Sequence, residues 1–396
     1  MQKHIARDSY APGGAVTAVI LSASALTVMA NATIAPSLPE LRAAFSTVPH
    51  IDTLAGLVLT MPSLFVILSA AALGWAADRM NRKLVLAACM IVYAAGGASG
   101  FLADNLETIL GGRAVLGIGV AGTMTIASAY VADFWQGAER ERFMGIQAAA
   151  TNFGGIIFVL IGGFLTGIEW RMPFLLYLVG IPLAVTALAV LPGRAEPTSA
   201  DFAAEQEQDG AGFPWAVAAR VIPLALGLMT IFYILPTRLP FLMTSIGLTR
   251  PAVAGVALAL VTLFSLPGSL GYGWLRRRLS SEIILAAAFA LLGLGLVLIS
   301  RAQDTVMLFA GVILCGAGFG PMIPNFMSRF LSAVPARQRA RGAGLMTATL
   351  FGGQFLSPLV SGLVLQHFPL GDCFALFGAM SLAVGAVVGA GTVLSR

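Results

Sequence analysis

Charge is what this chain has least of. Asp, Glu, Lys and Arg supply 10% of its 396 residues, against roughly a quarter in a typical soluble domain. So few ionisable groups cannot wet the outside of a water-soluble fold of this length. Cysteine and histidine are scarce too. Cys89, Cys315 and Cys373 are odd in number and lack CxxC spacing, which argues against a disulfide framework and a thiolate metal site. His4, His50 and His367 fall in a tail and in loops, and no Met stands four residues from another, so neither a metal nor a cofactor is expected. The scarcity that matters most is of carboxylates away from the loops. All eighteen acids fall in loops or at helix ends. With no His, Asp or Glu inside an apolar stretch, an enzyme working within a membrane has no acid–base pair, and a polyspecific carrier of cationic drugs has no anionic anchor.

What is present is apolar sequence: 58% hydrophobic residues and a mean hydropathy of +0.89. Runs of about 20 apolar residues, each long enough to cross a ~30 Å hydrocarbon core as a helix, recur at 14–36, 53–77, 84–102, 107–131, 143–166, 172–191, 215–237, 252–274, 282–300, 305–330, 342–365 and 373–394. The expected fold is therefore an all-α membrane protein of twelve transmembrane helices. Ala30-Asn31-Ala32 imitates a signal-peptidase site, but the first run has a counterpart in the second half and is kept as a helix. Residues 192–214 carry Glu196, Asp201, Glu205, Glu207 and Asp209 with too few apolar residues to bury, and read as a linker between halves 1–191 and 215–396. The net charge of +5 sits in short loops and indicates orientation rather than nucleic-acid binding. Alternate loops on the side of both termini hold sixteen Lys and Arg, against five (Arg42, Arg171, Arg238, Arg250 and Arg301) on the other. Both termini and the linker are expected in the cytoplasm, and the chain in an inner membrane.

A shift of 199 residues superposes Gly74-Trp75 on Gly273-Trp274, Gly112 on Gly311, Gly117 on Gly316, Gly119 on Gly318, Arg140 on Arg339 and Arg142 on Arg341. With a shift near 200, Ile34-Ala-Pro36-Ser37-Leu38-Pro39 matches Ile234-Leu-Pro236-Thr237-Arg238-Leu239-Pro240. The helices so paired cross in the same direction. They predict two pseudo-symmetric six-helix halves about an axis along the membrane normal, with a cavity between them.

Three motifs carry a resemblance. Gly74-x-x-x-Asp78-Arg79-x-Asn81-Arg82-Lys83 resembles the loop 2–3 motif of the major facilitator superfamily, with Asn81 where glycine is usual. Leu110-x-x-Arg113-x-x-Leu116-Gly117-x-Gly119 resembles the motif of its proton-coupled members, with Leu116 in place of a common glutamine. Gly145, Gly154 and Gly162-Gly163 keep the antiporter spacing, with Phe158-Val159 where the family has Gly-Pro. The resemblance, closest to the drug/proton antiporter and sugar-efflux branch, implies a secondary transporter working by alternating access. The expected activity is efflux of a small organic solute with protons as coupling ion, the alternative being uptake of an organic anion. A monomer in the lipid bilayer is expected, with no nucleic-acid partner.

Asp78, at the end of run 2, is expected to pair with Arg341 at the start of run 11 as a latch, with Arg79, Arg82, Asp133 and Arg142 completing this gate. Arg277 stands where the repeat would place the second acid, so the latch is one-sided. Asp133 and Asp78 are also the candidates for carrying a proton. Arg113, set inside run 4, either bonds backbone carbonyls, binds an anionic substrate group or assists coupling. Asn31, Asn152, Tyr233, Thr237, Asn325 and Gln354 are the neutral polar residues expected to line the cavity. Pro36, Pro39, Pro236 and Pro240 are expected to end helices 1 and 7, and the Gly-Pro cluster from Gly316 to Pro324 to kink helix 10.

Overall fold

The computed structural model describes residues 13–193, 213–335 and 338–394. The linker over 194–212 and the tail bearing Lys3 and Arg7 lie outside the described residues. Among the described residues there are no strands, and 12 helices are long and apolar enough to cross a membrane. They are α1 (Gly14–Ala44), α2 (Ile51–Arg79), α3 (Arg82–Leu102), α4 (Leu106–Phe134), α5 (Gly137–Thr166) and α6 (Met172–Val190) in the first half. The second half holds α7 (Trp215–Ser245), α8 (Pro251–Leu270), α9 (Ser281–Ser300), α10 (Thr305–Ala333), α11 (Arg339–Leu365) and α12 (Leu370–Leu394). We call the side on which α6 ends and α7 begins the linker face, and the opposite side the far face.

Two helices run eight residues past the end of their apolar stretches, α1 to residue 44 rather than 36 and α7 to 245 rather than 237. α1 is continuous from Gly14 to Ala32, turns through a 3-10 segment at Ala35–Ser37 and resumes at Leu38–Ala44. α7 runs to Phe232, breaks at Tyr233 and resumes at Ile234–Ser245. The prolines do not end these helices, as the sequence suggested. Pro36 and Pro39 stand in the first turns of the resumed segments, where a missing N–H costs nothing. One correction follows: Arg238, counted above as a loop residue, is inside α7. α10 breaks as expected, between Phe319 and Met322 at Gly320-Pro321.

The repeat is written in the packing. In the first half α3 meets α4 so closely that a Cβ on Gly96 would lie 2.8 Å from the Gly112 carbonyl oxygen; in the second, a Cβ on Gly295 would lie 2.6 Å from that of Gly311. These pairs are 199 positions apart. In lipid, where the hydrophobic effect does not press helices together, such close approach supplies the dispersion that holds them. Between the halves, α2 packs on α11 and α5 on α8. A Cβ at Gly56 of α2 would sit 2.6 Å from the Pro358 Cβ of α11, and one at Gly255 of α8 would sit 2.9 Å from the Val159 carbonyl of α5. These contacts lie toward the far face.

Candidate functional site

The breaks in α1 and α7 fall two positions past Asn31 and at Tyr233, midway through long helices, and they bring polar side chains to the seam between the halves. Asn31 Nδ2 donates to Gln354 Oε1 at 3.2 Å and, more weakly, to Ser63 Oγ at 3.4 Å. Ser63 Oγ donates to the same Gln354 oxygen at 2.8 Å. Tyr233 lies against Asn31 from the other half. Four helices, α1, α2, α7 and α11, thus meet in one polar cluster. Among the described residues its hydrogen bonds join uncharged groups. Asn31 Oδ1 is buried without a hydrogen-bond partner, an acceptor left open at the seam. Beside it, Phe232 packs edge-on to Tyr233 and stacks on Phe319 of α10, with centroids 3.6 Å apart.

Of the expected cavity residues, Asn31, Tyr233 and Gln354 come together and the others do not. Thr237 is buried and returns its hydroxyl to the Tyr233 carbonyl at 2.6 Å. Asn152 bonds the Ala148 carbonyl of its own helix at 2.9 Å. Asn325 is fully buried and exchanges two hydrogen bonds with Ser281, at 2.7 and 3.0 Å, tying α10 to α9. Ser63 was missed because a lone serine in an apolar run gives no sign of which face it occupies.

Arg113 is fully buried inside the first half. Its Nε donates to the Val58 carbonyl at 2.8 Å, Nη1 to the Tyr177 hydroxyl at 2.9 Å, and Nη2 to the Ala30 carbonyl. Tyr177 donates in turn to Ala30 at 3.0 Å. Of the three readings the sequence left open, these bonds are those of the first: the guanidinium holds α1 and α2 to α4 through backbone oxygens, and α6 through the Tyr177 hydroxyl.

At the linker face, Arg82 pairs with Asp133 across the α3–α4 ends and reaches Asp78 at 3.6 Å. Its backbone N–H donates to the Gly193 carbonyl at 3.1 Å, and Tyr130 donates to the Pro192 carbonyl at 2.9 Å, so the end of α6 is fastened to the same patch. Asp78 is 73% exposed, and Arg341 lies over the Phe213 ring at 5.4 Å rather than on Asp78. The expected latch is not made here. Arg142 is exposed. Arg79 stacks on Trp75 at 4.2 Å, and its repeat counterpart Arg278 stacks on Trp274 at 4.5 Å. The second half keeps an acid after all: Glu282, at the start of α9, pairs with Arg329 of α10 at 3.2 Å, the Arg82–Asp133 pair with its charges exchanged.

Toward the far face, Arg238 is 1% exposed. It donates to the Ser361 hydroxyl at 2.9 Å, the Asp52 carbonyl at 2.7 Å and the Pro358 carbonyl at 3.2 Å, joining α7 to α11 within its own half and to α2 of the other. The sequence held a signal for it: Arg238 falls 200 positions after Leu38, which is fully buried. Among the described residues no group of three or more His, Cys, Asp and Glu is placed to hold a metal.

The chain is 24% identical over 371 residues to a niacin transporter of Acinetobacter baylyi, covering 84% of each. It is 28% identical over 331 residues to the class C tetracycline resistance protein of Escherichia coli, covering 76% of this chain and 77% of that one. Its fold matches the crystal structure of a D-xylose–proton symporter with a TM-score of 0.76 and 16% identity, over 94% of this chain and 96% of that one. The Major Facilitator Superfamily profile matches residues 20–358 and, a second time, 251–394. With twelve spanning helices among the described residues, in two repeated halves with a polar seam between them, the chain belongs to the Major Facilitator Superfamily and is a transporter, not an enzyme.

Proposed function

We propose that this transporter exports a small, polar, uncharged organic solute, which binds at the seam formed by Asn31, Ser63, Tyr233 and Gln354. The observation that carries the reading is the cluster itself: amide and hydroxyl groups from both halves, hydrogen-bonded to one another across the seam. A solute entering there replaces those bonds with its own, and so relieves the halves of a mutual contact without leaving buried polar groups unpaired. That exchange is what rocking between two states requires. The uncharged lining favours sugars, polyols and similar neutral molecules over cations. Outward direction is supported by the helix 4 and helix 5 motifs and by the similarity to a resistance protein. The linker face is assigned to the cytoplasm from its excess of Lys and Arg. The coupling proton is assigned to Asp133, whose pairing with Arg82 ties proton release to the linker-face ends of α3 and α4.

Flux of neutral, cationic and anionic solutes in proteoliposomes under an imposed pH gradient tests all three parts. Uphill movement of a neutral solute, with KM raised about three- to tenfold in Gln354→Ala or Asn31→Ala, is the expected result, on the scale of one or two hydrogen bonds lost. Exclusive transport of charged solutes would remove the substrate assignment, and flux indifferent to the gradient would remove the proton.

A further inference from the structure

The far face carries a second polar feature that the central seam does not use. A cavity of about 480 Å³ lies between the halves there, bordered by Arg42 and Asp52 of the first half and by Arg238, Phe241, Thr244 and Phe368 of the second. That is within the usual range of small-molecule pockets. Its charges do not balance. The Asp52 carboxylate is taken by Arg42 at 2.5 Å, which leaves Arg238 to uncharged oxygens alone. Among the described residues Arg238 has no carboxylate within ion-pair distance, although it is 1% exposed. A buried guanidinium compensated only by carbonyl dipoles and a hydroxyl is costly, and an anion brought beside it offsets the cost. Each of the three Arg238 nitrogens already donates one hydrogen bond, so an anion meets it through its charge and the second N–H of Nη1 or Nη2.

We propose that this cavity is a binding site for a small organic carboxylate. The charged end lies between Arg238 and Arg42, and the apolar body packs against Phe241 and Phe368. Because the lining comes from α1, α2, α7 and the α11–α12 connection, the bound anion bridges the halves and holds the far face shut. It acts from the opposite side of the membrane to the linker, and is separate from the solute at the seam.

Benzoate binding to the full-length protein in detergent, followed by titration calorimetry, tests this. The expected result is one saturable site. Arg42→Gln removes a positive group and frees the Asp52 carboxylate, and weakens the affinity at least threefold. Asp52→Asn keeps the backbone carbonyl that Arg238 uses and removes the negative charge, and tightens it by a similar factor. The opposite signs at Arg42 and Asp52 separate an anion site from a merely structural arginine, and neither variant depends on replacing Arg238 itself. Absence of saturable benzoate binding, or equal affinity in both charge variants, would each overturn the proposal.

Discussion

At the scale of single residues, two buried arginines separate what the sequence disclosed from what it hid. The depth of Arg113 was legible, since a cation in an apolar run stands out whatever surrounds it. Its partners were not: Val58, Ala30 and Tyr177 reach it from three other helices, and nothing local in the sequence foretells which carbonyls a long side chain will find. Arg113→Ala should therefore cost stability rather than substrate affinity. Losing the three hydrogen bonds to Val58, Tyr177 and Ala30 removes about 3 kcal/mol, to be read as a lower melting temperature in detergent with KM unchanged in the protein that remains folded. Arg113→Lys cannot reach three acceptors at once and should recover only part of the loss. Arg238 reads as a loop residue only while the prolines on either side of it count as terminators. Had Pro236 and Pro240 been read as residues of a resumed helix, its match to Leu38 would have put it inside.

Helices as elements were easier to read than their interruptions. Length and hydropathy located every span, because a membrane allows few alternatives to a continuous helix. The Gly-Pro pair at Gly320-Pro321 marked the break in α10 plainly. The breaks in α1 and α7 were missed in position, since the chain resumes as helix on the far side of each. The seam between α2 and α11 gives the test at this scale. At Gly56 there is no room for a side chain against Pro358, so Gly56→Val should wedge the two helices apart. A cysteine placed at Thr53, three residues earlier on α2, should then react faster with a membrane-impermeant maleimide applied from the far face, while turnover falls. Unaltered labelling would mean that the two helices do not form the closed edge.

For the whole molecule, the repeat was the informative signal, and it foretold the fold better than the gate. It gave two parallel halves and the common glycine contacts of α3–α4 and α9–α10, but Arg277 in place of an acid suggested a second half with positive charge only. Glu282 restores that acid one helix later, out of register with Asp78. Each half thus closes its own linker-face corner with an ion pair, and Asp78, mostly exposed, is held there only by Arg82 at 3.6 Å. It is our candidate partner for Arg341 in a state in which the linker-face ends of the two halves meet. Asp78→Asn should slow turnover severalfold and leave the melting temperature within about 1 °C, because exposed charges contribute little to stability. An equal loss in Arg341→Gln, with no further loss in the double variant, would show that the two act together.

The stacked pairs Trp75–Arg79 and Trp274–Arg278 bear on the same motion in another way. Both tryptophans are more than half exposed, one on each half and at matching positions of the repeat. An indole with a guanidinium on its face suits the headgroup layer, between hydrocarbon and water. Each pair is then a float that fixes the depth of its own half, and a tilt of one half against the other must pivot about those two floats. Single-tryptophan variants in bilayers with brominated lipids would read this directly: quenching of Trp75, on α2, and of Trp274, in the short helix Tyr272–Arg278 that follows α8, should hold constant while the protein cycles, even as the far-face ends of α2 and α8 travel.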